Sequence, residues 1–209
     1  MRQYNHHLYF SSRERVDLLK AWLATSLAFG VFFLTGMGLK NASITAFAFV
    51  VIIAAITAGA GFILHELAHK LTANRFGVHS EFRSHDQMLV ISIIIAFLGV
   101  IFAAPGAVYM TADVTRKESG IISAAGPIAN IIIASAFLAG VLLTPNESLL
   151  HAVSIYGLLI NAMLGAFNMI PFGDFDGVKI LRWSKAAYTT ITVAAAILVV
   201  IAFILPSGA

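Results

Sequence analysis

Long uncharged apolar runs alternate with short polar stretches along this chain. The runs are Ala21–Leu39, Ile44–Leu64, Leu89–Met110, Ile121–Leu143, Leu149–Phe172 and Ala186–Leu205. Each is close to the roughly 20 residues that a bilayer-spanning helix requires. Ile44–Leu64, with 21 residues, rises about 31 Å as a helix, one hydrocarbon thickness. The polar, basic stretch Met1–Lys20 precedes the first run. A secretory signal has a shorter apolar core and a small-residue cleavage site, so the first run reads as a retained spanning helix.

The third run breaks the pattern. After a stretch rich in Ile, Val and Phe come Ala103-Ala104-Pro105-Gly106 and then Ala107-Val108-Tyr109-Met110-Thr111, which read as a turn and a strand. Loop charges offer a test. If all six runs span with the N-terminus inside, the 13 Lys and Arg divide 7 to 6 between the two sides. If the third run dips in and returns, the division is 12 to 1, with only Lys40 outside. Basic residues concentrate in cytoplasmic loops, so the expected fold is an all-α polytopic membrane protein. It has five full spans plus a re-entrant apolar segment at 88–110 that carries a short β-strand. The alternative is six full spans. Non-helical backbone at that depth requires helices or a water-filled cavity around it.

Composition agrees with this and narrows the function. Of 209 residues, 59% are hydrophobic and 11% charged, with a mean hydropathy of +0.90; a soluble domain carries about a quarter of its residues charged. One membrane-embedded domain, 1–209, is expected. The formal charge of +3 reflects loop lysines and arginines rather than a nucleic-acid surface. The chain has no cysteine, which removes thiolate catalysis and Cys-ligated metal sites.

The candidate chemistry begins where the second run ends, at His65-Glu66-Leu67-Ala68-His69. On a helix, positions i and i+4 share a face, so His65 and His69 can both bind one divalent ion. Glu66 then stands beside the open coordination position, as a base for water. Shuffling seven His and five Glu through the chain yields this pattern about 0.005 times. Three ionisable groups closing an apolar span are costly and therefore rarely idle.

Two histidines and a base leave one metal ligand to find. Candidates are His79, His85 and His151 and the acids Asp86, Asp113, Asp174 and Asp176. His151 opens the fifth run, nearly a bilayer away from His65. Asp174 and Asp176 emerge from its other end, at the depth of the histidines. There Asn168, Pro171, Gly173 and Gly177 break the helix and can turn a carboxylate towards a neighbour. Two His, one Asp and a water suit a catalytic zinc. Gly126 and Asn130, four apart, share a helix face suited to close packing and interhelical hydrogen bonding.

With these motifs the sequence resembles the site-2 protease family of intramembrane zinc metalloproteases. The likeness rests on His65–His69, on Gly126-Pro127-Ile128-Ala129-Asn130 and on Asn168-Met-Ile-Pro171 followed by Asp176-Gly177, and covers about 43–183. It implies one Zn2+ per chain held by His65, His69 and Asp176, with Glu66 and Asn168 catalytic and Gly126, Pro127 and Asn130 packing the core beside the HExxH helix. It also implies transmembrane segments of membrane proteins as substrates. An edge strand near Gly106, Val108 and Tyr109 is a candidate to hold an unwound substrate segment. The expected location is a prokaryotic plasma membrane, with the N-terminus and the active site on the cytoplasmic side. The alternative is a membrane metal carrier or a non-cleaving transmembrane-helix binder. Carriers spread ionisable groups along several spans, whereas these runs are almost free of them.

The absence of native cysteine makes the topology testable. Single cysteines replacing Ser84, Asn146 and Ser207 should label from inside, outside and outside; with six full spans, position 207 labels from inside.

Overall fold

The fold is seen in a computed structural model, which describes residues 9–36, 43–101 and 105–205. It is helical throughout, with one small two-stranded sheet. Among the described residues five helices are long and apolar enough to cross a membrane: Ser12–Thr35, Ile44–Arg75, Arg116–Leu143, Leu149–Asn168 and Lys185–Ile204. The C-terminal end of the first run, 37–39, lies outside the described residues with Lys40, as do Ala103 and Ala104 of the expected turn and the labelling position Ser207. The chain divides into two compact units.

One unit comprises the described parts of Tyr9–Ile63 and Glu81–Tyr109. Helix α1 (Ser12–Gly36) packs on α2 (Ile44–Ala54). Ala28 and Val31 meet Ala96 and Phe47 in one cluster, and Ala21 meets Phe62, Phe82 and Leu89 in another. Helix α2 continues into α3 (Ala60–Arg75) through one π-helical turn, Ala55–Gly59. A π-turn widens the ladder, and here the Ala55 carbonyl accepts both the Ala60 N–H and the Trp22 indole N–H, the latter at 3.1 Å.

The third apolar run does dip and return. Strand β1 (Ser80–Ser84) leads into α4 (Asp86–Phe97), and β2 (Gly106–Met110) comes back beside β1. The Thr111 N–H donates to His79 O and the His85 N–H to Pro105 O, each at 3.0 Å, which sets an antiparallel register. His85 and Pro105, on either side of this excursion, are thus joined by one hydrogen bond. Twelve helical residues rise only about 18 Å, too little to cross. The outer edge of β1 is occupied by the buried Glu14, whose carboxylate accepts the Phe82 N–H at 3.0 Å.

The other unit comprises Leu64–Ser80 and 110–205 of the described residues. Helix α5 (Arg116–Leu143) starts at a capping box, with Thr115 and Glu118 exchanging side-chain and backbone bonds, the sequence signature of a helix start. Helices α5, α6 (Leu149–Asn168) and α8 (Lys185–Ile204) meet at Ala134, Val141, Leu158, Ala162, Leu198 and Ala202. Three of these six are alanines, which permit the close approach that must supply the attraction where lipid gives no hydrophobic drive between helices. A short helix absent from the expectation, α7 (Asp176–Trp183), follows α6 and packs Ile180 on Ala124, Met169 and Ile191.

Trp22→Phe replaces the indole with a smaller phenyl ring and removes the N–H that binds Ala55 O. It is expected to lower stability by about 1 kcal/mol, read from denaturant unfolding in detergent; an unchanged midpoint would show that the bond carries no weight.

Candidate metal centre

Every residue of the centre belongs to the unit of Leu64–Ser80 and 110–205. His65, Glu66 and His69 lie on α3, all buried. Their one-turn spacing brings the imidazoles together, ring centroids 4.6 Å apart and planes nearly perpendicular, with the two Nε2 atoms 3.0 Å apart. Asp176, first residue of α7 and 8% exposed, sets its Oδ2 3.3 Å from His65 Nε2 and 3.2 Å from His69 Nε2. Asp174 is exposed on the preceding loop. Glycine at 177 makes the approach possible, since a Cβ there would lie 2.4 Å from the Met169 carbonyl oxygen.

The tautomers follow from the partners of the other ring nitrogens. His69 Nδ1 lies 2.8 Å from the Ile122 carbonyl, which can only accept, so Nδ1 carries the proton and Nε2 presents a lone pair. His65 Nδ1 lies 2.6 Å from Asn130 Oδ1; Asn130 Nδ2 donates to Asn161 Oδ1 at 3.1 Å, and Asn161 Nδ2 donates to Gly157 O at 2.9 Å. His65 Nε2 is therefore also a lone-pair donor.

Asp176 brings the number of candidate ligands that converge here to three. Two imidazole lone pairs and a carboxylate oxygen in a triangle of 3.0, 3.2 and 3.3 Å repel one another unless a cation lies among them. Zinc ligands at about 2.0–2.1 Å in a tetrahedron are about 3.3 Å apart, so the donor set fits that ion with a fourth position free. Glu66 contributes a ligand-capable atom within 4.8 Å of the histidine donors, and its Oε2 is buried without a hydrogen-bond partner.

The comparisons with known proteins agree with this chemistry. The chain is 40% identical over 177 residues to a protein of Methanocaldococcus jannaschii named "Putative zinc metalloprotease MJ0611", covering 84% of this chain and 86% of that one. The chain belongs to this zinc metalloprotease family. A second protein of the same archaeon, named "Zinc metalloprotease MJ0392", is 31% identical over 125 residues, which is 57% of this chain and 30% of its own length. No family model and no solved structure matches.

Other residues of the metalloprotease singled out by sequence fall in several places. Gly126 stands against the ligands: a Cβ there would come within 2.5 Å of both Nε2 atoms. Pro127 is buried inside α5, where its missing N–H loosens the ladder one turn from the Ile122 carbonyl. Asn130 does more than pack, since it bonds His65 directly. Asn168 turns its amide back on its own helix, donating to Leu164 O at 3.0 Å. Gly106, Val108 and Tyr109 lie on β2, with Tyr109 Oη 2.6 Å from His85 Nε2.

Sequence reasoning missed Asn161, although a signal existed. It is an amide in an apolar spanning run, two helical turns before Asn168. Such a group needs a partner in a membrane interior. The Ile122 contact is made by backbone and leaves no trace in residue identity.

Gly126→Ala forces a methyl against both imidazole tips, so it should abolish stoichiometric zinc binding and peptidase activity while the protein remains extractable and helical. Zinc analysis of purified protein checks this, and full zinc occupancy would contradict it.

Proposed function

We propose that this zinc metalloprotease is an intramembrane endopeptidase that hydrolyses peptide bonds in or near transmembrane helices of membrane proteins. The observation that carries the reading is the position of the centre. His65, Glu66 and His69 directly follow the apolar run Ile44–Leu64 within the helix Ile44–Arg75, itself of membrane-spanning length and apolarity, which supports substrates that are themselves membrane segments.

One zinc ion held by His65, His69 and Asp176 would supply Lewis acidity to water and to the scissile carbonyl. The chain's own residues do the rest. Glu66, buried with one oxygen unpartnered, takes a proton from the attacking water and returns it to the leaving amine. Asn130 and the Ile122 carbonyl keep both Nε2 lone pairs on the metal side. A role for Asn168 as a donor to the developing oxyanion requires its Nδ2 to leave Leu164 O.

A helical peptide bond is tied into the i to i−4 ladder, so the substrate must unwind, most readily at Gly, Pro or Asn. Strand β2 has one edge unpaired among the described residues. Such an edge can hold extended peptide through its backbone, with Gly106, Val108 and Tyr109 along it. The basic loops favour the cytoplasmic side for the centre and the N-terminus, and archaeal relatives support the reading of a prokaryotic plasma membrane.

Purified protein incubated with a model transmembrane substrate tests this. Wild type should cut within the hydrophobic segment and stop when a chelator is added. Glu66→Gln should retain zinc and lose cleavage by at least about a thousandfold, within the range that loss of a general base and its accompanying electrostatics produces. Cleavage confined to soluble peptides, or cleavage that survives chelation, would overturn the proposal.

A further inference from the structure

His65 and His69 are both held by their Nδ1 atoms, but by different means. His69 meets a backbone carbonyl, Ile122 O, directly. His65 meets Asn130 Oδ1, and a side-chain amide has no fixed polarity of its own, since rotation by 180° exchanges its donor and acceptor. Something else must decide which way Asn130 points.

We infer that Asn161 is a positioning residue for the metal centre, setting the orientation and tautomer of His65 through Asn130. The chain of bonds has one end whose polarity cannot change, the Gly157 carbonyl. It can only accept, so Asn161 must turn Nδ2 towards it, as it does at 2.9 Å. Asn161 Oδ1 then faces Asn130 and demands a donor, which Asn130 Nδ2 supplies at 3.1 Å. Asn130 Oδ1 is thereby left for His65 Nδ1, at 2.6 Å, and the proton must sit on Nδ1. Reversing Asn161 would set acceptor against acceptor at Gly157 O and donor against donor at Asn130; reversing Asn130 would set its Oδ1 against Asn161 Oδ1. Asn130 and Asn161 are both 0% exposed, so bulk water cannot replace a lost link. Both imidazoles are thus referred to a backbone carbonyl, His69 in one step and His65 in three.

The inference rests on His65 being a metal ligand, and the experiment separates the two questions. Full-length protein in detergent is tested for Zn2+ affinity by chelator competition and for the visible absorption of the Co2+-loaded form. Asn161→Leu removes the acceptor for Asn130 and should weaken zinc 10- to 100-fold, the usual effect of losing a partner behind a metal-bound imidazole, and should change the cobalt spectrum. Asn161→Ala is read alongside, so that the outcome does not hang on one variant folding. Asn161→Asp keeps an oxygen towards Asn130 in either protonation state and should hold zinc within about threefold of wild type. Combined with Asn130→Leu, Asn161→Leu should cause no further loss, because its path to His65 is already cut. Wild-type zinc affinity and cobalt spectrum in both apolar variants would overturn the inference. So would an Asp variant as weak as Leu, or losses that add in the double variant. His65→Ala is the control: if it binds zinc like wild type, the ligand assignment falls and takes this inference with it, whereas its loss beside an unaffected Asn161→Leu refutes only the positioning role.

Discussion

Three lone-pair donors held 3.0 to 3.3 Å apart in a buried site govern the surrounding architecture, because such a cluster is favourable only around a cation. Each donor must be aimed by something rigid. Helix α3 aims two by its one-turn repeat. Helix α7 aims the third from its first residue, and the glycine that follows lets it seat against the Met169 carbonyl. Helix α5 supplies the Ile122 carbonyl behind one imidazole and Asn130 behind the other, and at Gly126 it withdraws its side chain from their tips. Ligands, backing groups and clearance thus come from one set of packed helices.

The apolar surroundings make that arrangement expensive and so explain its economy. An unpaired polar group in a membrane interior costs several kcal/mol. The amides that back His65 accordingly run from carbonyl to imidazole without a gap. The hydroxyls of Thr35, Thr57, Ser92 and Ser135 fold back on carbonyls of their own helices. Among the described residues three buried side-chain oxygens lack a partner, on Glu66, Ser80 and Thr192. Of these only the Glu66 carboxylate oxygen stands beside the imidazoles, where the proposed mechanism gives a free lone pair a use.

How much of this the sequence announces depends on whether side chains or backbone carry the information. The apolar runs mark five spanning helices, although α1 begins at Ser12 rather than Ala21 and the second helix continues past Leu64 to Arg75, because a polar turn continues a helix as readily as an apolar one. Charge asymmetry foretells the re-entrant segment, and the structure returns it to its origin at His85 and Pro105. His65, Glu66 and His69 are legible from spacing alone. Spacing leaves Asp176 as one of two acids and the family resemblance chooses it; the structure separates the two by burying Asp176 beside the imidazoles and leaving Asp174 exposed. Strand β1 and helix α7 are too short for periodicity to reveal. The carbonyls of Ile122 and Gly157 cannot be read at all, since every residue owns one.

Asn130 and Asn161 illustrate a more general point about polar residues in membrane helices. Taken singly, each reads as interhelical packing, with a small residue one turn away on the same helix, Gly126 and Gly157. Taken together, they convert the polarity of a backbone carbonyl on α6 into the protonation state of a ring on α3. An amide suits this because it is donor and acceptor at once and stays uncharged at every physiological pH. A carboxylate would add a charge beside the metal, and a hydroxyl is too short to span the gap and free to rotate. The preference for asparagine over other polar residues at these two places follows from the need to pass on a direction, which an attractive contact alone does not require.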